Sequence, residues 1–251
     1  MKRREFLTAT AGGLLVAAES LSANQAMAAL PGPEIKAIAF DAFPVFDPRP
    51  IFGLVGQTFS NHADFGKMWF NKIFAYTWLR TSGDRYQDFL SVIAEALDYT
   101  VAAHGETLTE DQRQELLDVW FTLRPWPDVA DAIEQFDKQN IRLAFLYNFT
   151  EEMLRANARN GGLENKFDYL STDNAGAFKP DPKAYSLGLS HFGLPKDNIA
   201  FCAFAAWDAA GASWFGYPTV WVNRLGQAPE RLNQGEITEG NSMSALRAFV
   251  A

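Results

Sequence analysis

The chain is short of cysteine, histidine and basic charge, and each shortage closes off a class of function. A single cysteine, Cys202, among 251 residues cannot form an internal disulfide, so packing has to hold the fold. The three histidines, His62, His104 and His191, lie in helical stretches without metal-ligand spacing, which points to surface or packing roles and no metal. Lys and Arg number 22 against 30 Asp and Glu, for a net charge of −8. Neutralising a phosphate backbone takes a basic face, so the composition predicts no nucleic-acid partner and favours a small molecule. Charged residues are only 21% of the chain and no segment is low in complexity, which excludes a disordered protein. With 48% hydrophobic residues, a chain of this length can bury a sizeable core in one domain.

Near the start, the apolar stretch from Thr8 to Ala18 is too short to span a bilayer. It follows Lys2-Arg3-Arg4-Glu5-Phe6-Leu7 and precedes Ala26-Met27-Ala28, the layout of a cleavable export signal over residues 1–28. Arg3-Arg4 followed by Phe6-Leu7 looks like a twin-arginine signal, which carries folded proteins across the bacterial inner membrane. The expectation is a periplasmic or secreted protein with no stable membrane anchor, its mature part covering 29–251.

In the mature part, short apolar runs alternate with helical patterns. Ile35 to Phe40, Ile141 to Leu146, Phe167 to Ser171, Ile199 to Phe204 and Thr219 to Val222 read as strands buried on both faces. Between them, Asp128 to Lys138, Thr150 to Asn160, Pro182 to Phe192 and Trp207 to Phe215 carry helical spacing. Alternation of this kind predicts an α/β fold, a parallel sheet wound on both faces. The segment from about 53 to 125 breaks the alternation with helical patterns at Phe65 to Leu79 and Tyr86 to Ala103, and a capping box at Thr109 and Gln112. It reads as a helical cap inserted after the first strand.

Open parallel sheets form their sites at the carboxyl ends of strands. Asp41 follows strand one, Tyr147 and Asn148 end strand two, Lys179 lies in the loop after strand three, and Asp208 comes just past strand four. An ionised Asp41 can attack carbon or phosphorus to form an ester, a neighbouring lysine keeps it charged, and Asp208 with Lys179 suits activation of a water. An Asp at a strand end also often caps the following turn, so Asp41 alone does not decide the matter.

The residues taken together resemble a known family. Ile35 to Asp47, IKAIAFDAFPVFD, is similar to the first motif of the haloacid dehalogenase superfamily, in its type II 2-haloacid dehalogenase branch. The likeness continues through Tyr76 to Arg80, Arg85-Tyr86, Leu143 to Asn148, Phe178 to Asp181 with Tyr185, Ala206 to Ala209, and Trp221 to Arg224. It implies a doubly wound core with a helical cap, no metal or other cofactor, and hydrolysis of an (S)-2-haloacid to an (R)-2-hydroxy acid through an aspartyl ester. On this resemblance Asp41 is the nucleophile, Lys179 its partner and Asp208 the residue that helps activate water. Asn148 is a pocket residue near the halide, and Trp207 and Tyr185 match pocket or supporting positions. Family members often pair, so the resemblance leaves room for a homodimer without deciding it.

The superfamily's phosphatases carry a second Asp two residues after the nucleophile; Phe43 stands there, which removes a general acid and part of a metal clamp. Other departures fall within the site. Pro44-Val45 replace a Gly-Thr, Phe70 replaces the arginine that pairs with the halide, and Tyr147 replaces a serine. Ala203 and Ala205 replace a serine and an asparagine. Tyr147 brings a hydroxyl of its own, while Arg80 and Arg85 read as binding cap carboxylates on the surface rather than the substrate. Of the aromatics near the motifs, Phe70 and Trp207 read as pocket walls and the others as core. Two functions stay open: a dehalogenase, favoured by Asp41, Lys179 and Asp208, or a relative that binds a small ligand without turnover, favoured by the lost contacts.

Overall fold

The structure, a computed structural model, describes residues 34–251; the predicted export signal at 1–28 lies outside them. Six strands form one parallel sheet: β1 (Ala37–Phe40), β2 (Arg142–Tyr147), β3 (Asp168–Ser171), β4 (Ile199–Ala203), β5 (Thr219–Val222) and β6 (Ile237–Gly240). Their order is β3-β2-β1-β4-β5-β6, so the chain starts in the middle and winds outward first one way and then the other.

The two faces of the central strand differ in bulk. Ile38 and Phe40 point into one core with Phe145 and Val220, whereas Ala37 and Ala39 point into the other with Ala144 and Ala203. The larger side chains are covered by α6 (Val129–Lys138), α7 (Glu151–Asn160) and α10 (Met243–Phe249), through Val129, Phe136, Met153, Leu154, Met243 and Leu246. The small side chains admit α8 (Pro182–Phe192) and α9 (Ala206–Phe215) on the opposite face. Helix α9 meets the sheet with its own alanines, Ala206, Ala209 and Ala212.

After β1 comes the single turn α1 (Ala42–Val45), then the cap helices α2 (Arg49–Thr58), α3 (Phe65–Ser82), α4 (Phe89–Ala103) and α5 (Glu110–Asp118). The capping box is made in both directions: the Gln112 N–H donates to Thr109 Oγ1 at 3.2 Å and the Thr109 N–H to Gln112 Oε1 at 3.0 Å. Helix α4 starts at Phe89 rather than Tyr86, because Asp88 caps it by accepting from the Ser91 N–H at 2.9 Å. Cap helices begin at Arg49, ahead of the expected 53. Helix α2 carries Pro50 in its first turn, where a missing N–H costs nothing.

The sequence reading places no element at β6 or α10. Strand β6, Ile-Thr-Glu-Gly, is an edge strand with only partial burial, so it lacks the apolar run that marks the inner strands.

Candidate active site

Strand order reverses beside β1, and at such a switch point the loops leaving two neighbouring strands part to open a crevice. Asp41 enters it directly from β1, and its N–H donates to the Cys202 carbonyl of β4 at 2.9 Å, fixing the residue against that strand. Its carboxylate is 3% exposed. Oδ2 accepts the Phe204 N–H at 3.2 Å, while Oδ1 has no hydrogen-bond partner. That contact comes from the main chain and so survives the alanines at 203 and 205.

Lys179 is completely buried. Its Nζ donates to Asp208 Oδ2 at 2.6 Å and lies 3.5 Å from Asp41 Oδ1. The ammonium also sits over the rings of Tyr147, at 4.8 Å from the centroid, and Phe201, at 5.2 Å, whose electron-rich faces help offset its burial. Asn148 positions the lysine's backbone, its Oδ1 accepting the Lys179 N–H at 3.1 Å, and its Nδ2 is left without a partner. Asp208 lies in the first turn of α9, where the unpaired N–H groups of a helix start favour negative charge. Its Oδ1 accepts from the Tyr185 hydroxyl at 2.7 Å.

Two acids and one amine therefore share a buried site. The Asp41 carboxyl is pushed up to about 7, by burial first, with Asp208 acting in the same direction and Lys179 against it. Burial, then the Asp41 charge, holds the Tyr147 phenol well above its usual range, so it stays protonated and able to donate; its hydroxyl has no partner either.

Asp41 and Tyr147 open onto a cavity of about 290 Å³. Its walls include Phe43, Phe52, Phe70, Phe74, Phe204 and Trp207, and the exposed Lys67, Asn71 and Gln227 form its rim. Phe70 stacks between Phe52 (4.4 Å, 27°) and Trp120 (5.3 Å, 23°). A larger hollow on the cap, about 680 Å³, is lined by Arg80, Arg85, Glu95 and Asp98 and contains none of the strand-end residues. Arg80 is paired there with Glu95 and also donates to the Arg85 carbonyl, so neither arginine takes the place left by Phe70.

The structure thus brings Asp41, Lys179, Asp208 and Asn148 to one rim of the sheet, with Tyr147, Phe70 and Trp207 on the cavity. Two placements differ from the expectation. Tyr185 is not a substrate-facing residue: it lies behind the site, fully buried, and holds Asp208. Asp208 is itself fully buried, with both oxygens already accepting hydrogen bonds. Phe43 and Phe204, which sequence reasoning assigns to the core, are buried there and also face the cavity, and the same reasoning misses Phe52, Phe74, Lys67, Asn71 and Gln227. Helical spacing held a signal for part of this, since Lys67, Phe70, Asn71 and Phe74 recur at intervals of three and four along α3.

A parallel α/β sheet with a helical cap, carrying a strand-end carboxylate beside a buried lysine, belongs to a class of α/β hydrolases. The chain belongs to the haloacid dehalogenase-like hydrolase family, whose model matches residues 35–216. It is similar to the (S)-2-haloacid dehalogenase of Pseudomonas sp. strain YL, with 34% identity over 86% of this chain and 93% of that protein. A solved L-2-haloacid dehalogenase is 30% identical, with a TM-score of 0.83 over 87% of this chain and 99% of that one. The L-2-haloacid dehalogenase from Xanthobacter autotrophicus with chloropropionic acid covalently bound is 27% identical, with a TM-score of 0.78 over 86% and 98%.

Proposed function

We propose that this chain hydrolyses (S)-2-haloacids to (R)-2-hydroxy acids through an ester formed on Asp41, without a metal. The observation that carries the reading is the state of Asp41 Oδ1: buried at the end of an apolar cavity, 3.5 Å from an ammonium, and free of any hydrogen bond. An oxygen so placed has a lone pair to give to carbon when ionised, and the amine opposes the pull of burial that raises the carboxyl to about 7.

In the first step Oδ1 attacks C2 from the side opposite the halogen. A carbon–oxygen bond forms, the carbon–halogen bond breaks, and the halide leaves with the electron pair, inverting C2. In the second step water adds to the ester carbonyl of Asp41, not to C2. The Asp41–substrate bond breaks at that carbonyl, the hydroxy acid departs with the oxygen that attacked and one proton of the water, the other proton is released to solvent, and the water's oxygen stays in the carboxylate. Asp208 takes part through Lys179, because its own oxygens are occupied, and Asn148 and the Tyr147 hydroxyl offer donors for the departing halide. The relative with chloropropionic acid covalently bound supports a covalent intermediate.

A single turnover of (S)-2-chloropropanoate in heavy-oxygen water tests the reading. Chloride should appear, and the peptide carrying Asp41 should gain one heavy oxygen while the product carries none. Asp41→Asn should release no chloride. Chloride release with the label in the product, and none in Asp41, would mean direct attack by water. Failure of the wild type to release halide from any haloacid would favour the second reading, a binding protein, for which the loss of an arginine at Phe70 is the supporting observation. The Arg3-Arg4 signal supports a periplasmic or secreted location for this activity.

A further inference from the structure

The substrate class just proposed is anionic, and the site it must enter is already negative. With Asp41 and Asp208 ionised, Lys179 neutralises only one of the two, and the chain as a whole carries −8. A carboxylate approaching a carboxylate in a dry cavity is opposed unless a cation meets it. Phe70 supplies none, being stacked between two other rings. Lys179 has no surface left to offer, since it is fully buried and spent on the two acids.

Among the described residues lining the cavity, Lys67 is the one lysine or arginine. It lies one turn before Phe70 on α3, on the face that also presents Asn71 and Phe74 to the cavity. The acid nearest to it in sequence, Asp64, contacts His104 Nε2 at 3.5 Å instead. Lys67 is exposed, so its ammonium stays hydrated until an anion arrives, while its four-carbon stem can lie along the aromatic wall. We propose that Lys67 binds the carboxylate of the substrate, taking over from the cap side the charge recognition that the site's core cannot provide. Asn71, one turn further along the same face and also on the rim, offers an amide N–H to the same group. The inference rests on the dehalogenase reading for the identity of the acid, but the binding site itself does not.

Steady-state kinetics of (S)-2-chloropropanoate hydrolysis with wild type, Lys67→Met and Lys67→Arg read the anchor directly. A lost charge-assisted hydrogen bond at a partly exposed rim raises KM about ten- to a hundredfold in Lys67→Met. The effect on kcat is much smaller, because the contact holds ground state and transition state alike, and Lys67→Arg recovers most of KM. Calorimetry with (R)-2-hydroxypropanoate and its neutral amide separates charge from shape. The acid should bind Lys67→Met more weakly by the same factor, and the amide should bind both proteins equally. An unchanged KM, a fall in kcat alone, equal loss of acid and amide, or no binding of the acid by wild type would each overturn the proposal. If wild type releases no halide yet binds the acid through Lys67, the anchor stands and the dehalogenase reading fails.

Discussion

Replacing Lys179 by methionine removes the positive charge at the centre of the site and keeps most of the stem's volume. Lys179 is fully buried, 2.6 Å from Asp208 and 3.5 Å from Asp41, so no water can take the amine's place without rearrangement. Breaking a buried ion pair from one side costs about 3–5 kcal/mol, because the surviving charge is stranded. Here the size of the loss depends on pH. At pH 8.5 Asp41 is ionised beside the amine in the wild type, whereas the variant must hold that charge without its nearest counter-charge or bind a proton against the pH of the solution. At pH 5.5 Asp41, whose carboxyl sits at about 7 in the wild type, is protonated and that cost is lifted. A carboxyl whose folded value is raised favours folding when protonated, and that advantage is lost as pH rises through the folded value. Removal of the amine, which pulls Asp41 downward, moves it further up. Each unit of that movement returns about 1.4 kcal/mol on acidification. Urea denaturation of wild type and Lys179→Met at the two pH values measures this directly. The expected result is a loss of about 3–5 kcal/mol at pH 8.5 that shrinks clearly at pH 5.5, and partial recovery at pH 8.5 in the double variant Lys179→Met/Asp208→Asn. Equal loss at both pH values, with no recovery in the double variant, would show that the lysine contributes packing rather than charge.

Because the nucleophile must be ionised, kcat/KM for 2-chloropropanoate should rise about tenfold per pH unit below about 7 and level off above it; a flat profile from pH 5 to 9 would remove the buried Asp41 from the rate. Tyr185→Phe deletes the 2.7 Å hydrogen bond to Asp208 without changing volume, and should cost about 1.5–3 kcal/mol in urea denaturation and lower kcat more than it raises KM. Unaltered kcat in that variant would show that Asp208 does not need the tyrosine to hold the lysine.

The inner strands were legible in the sequence because burial on both faces leaves continuous apolar runs. Ile38-Ala39-Phe40 and Ala200-Phe201-Cys202 could hardly be anything else. The same logic explains the failure at β6, where one side of Ile237-Thr238-Glu239-Gly240 has no neighbouring strand and the pattern fades. The charged residues of the site could be placed because topology alone sends the ends of β1, β2 and β4 to one rim. What the sequence could not tell is which atoms of those residues are left free. The occupied oxygens of Asp208, the free Oδ1 of Asp41 and the burial of Tyr185 behind the site depend on contacts between residues as much as 163 positions apart, such as Asp41 and Phe204. The rim fell between these cases. Lys67 and Asn71 share a helical face with Phe70, but a face becomes a wall only when the opposing surface is known.

The two faces of the sheet do different work for the same site. Alanines at 37, 39, 144 and 203 let α9 lie close, and that closeness brings Asp208 within 2.6 Å of an amine that enters from the α8 side. A larger residue at Ala209 or Ala212 would lift α9, and the ion pair would lengthen before any catalytic residue changed. On the other face the bulky residues continue into the cavity: Phe43 meets Tyr147, Phe149 and Phe204 edge to face, and Phe149 in turn packs on Trp120 and Phe89 of the cap. That aromatic wall helps to bury Asp41 and so raises its carboxyl, while Lys179, held to Asp208 on the alanine face, restrains the rise. Asp41 is poised near neutrality because the two faces of the sheet beside it are built from opposite kinds of side chain.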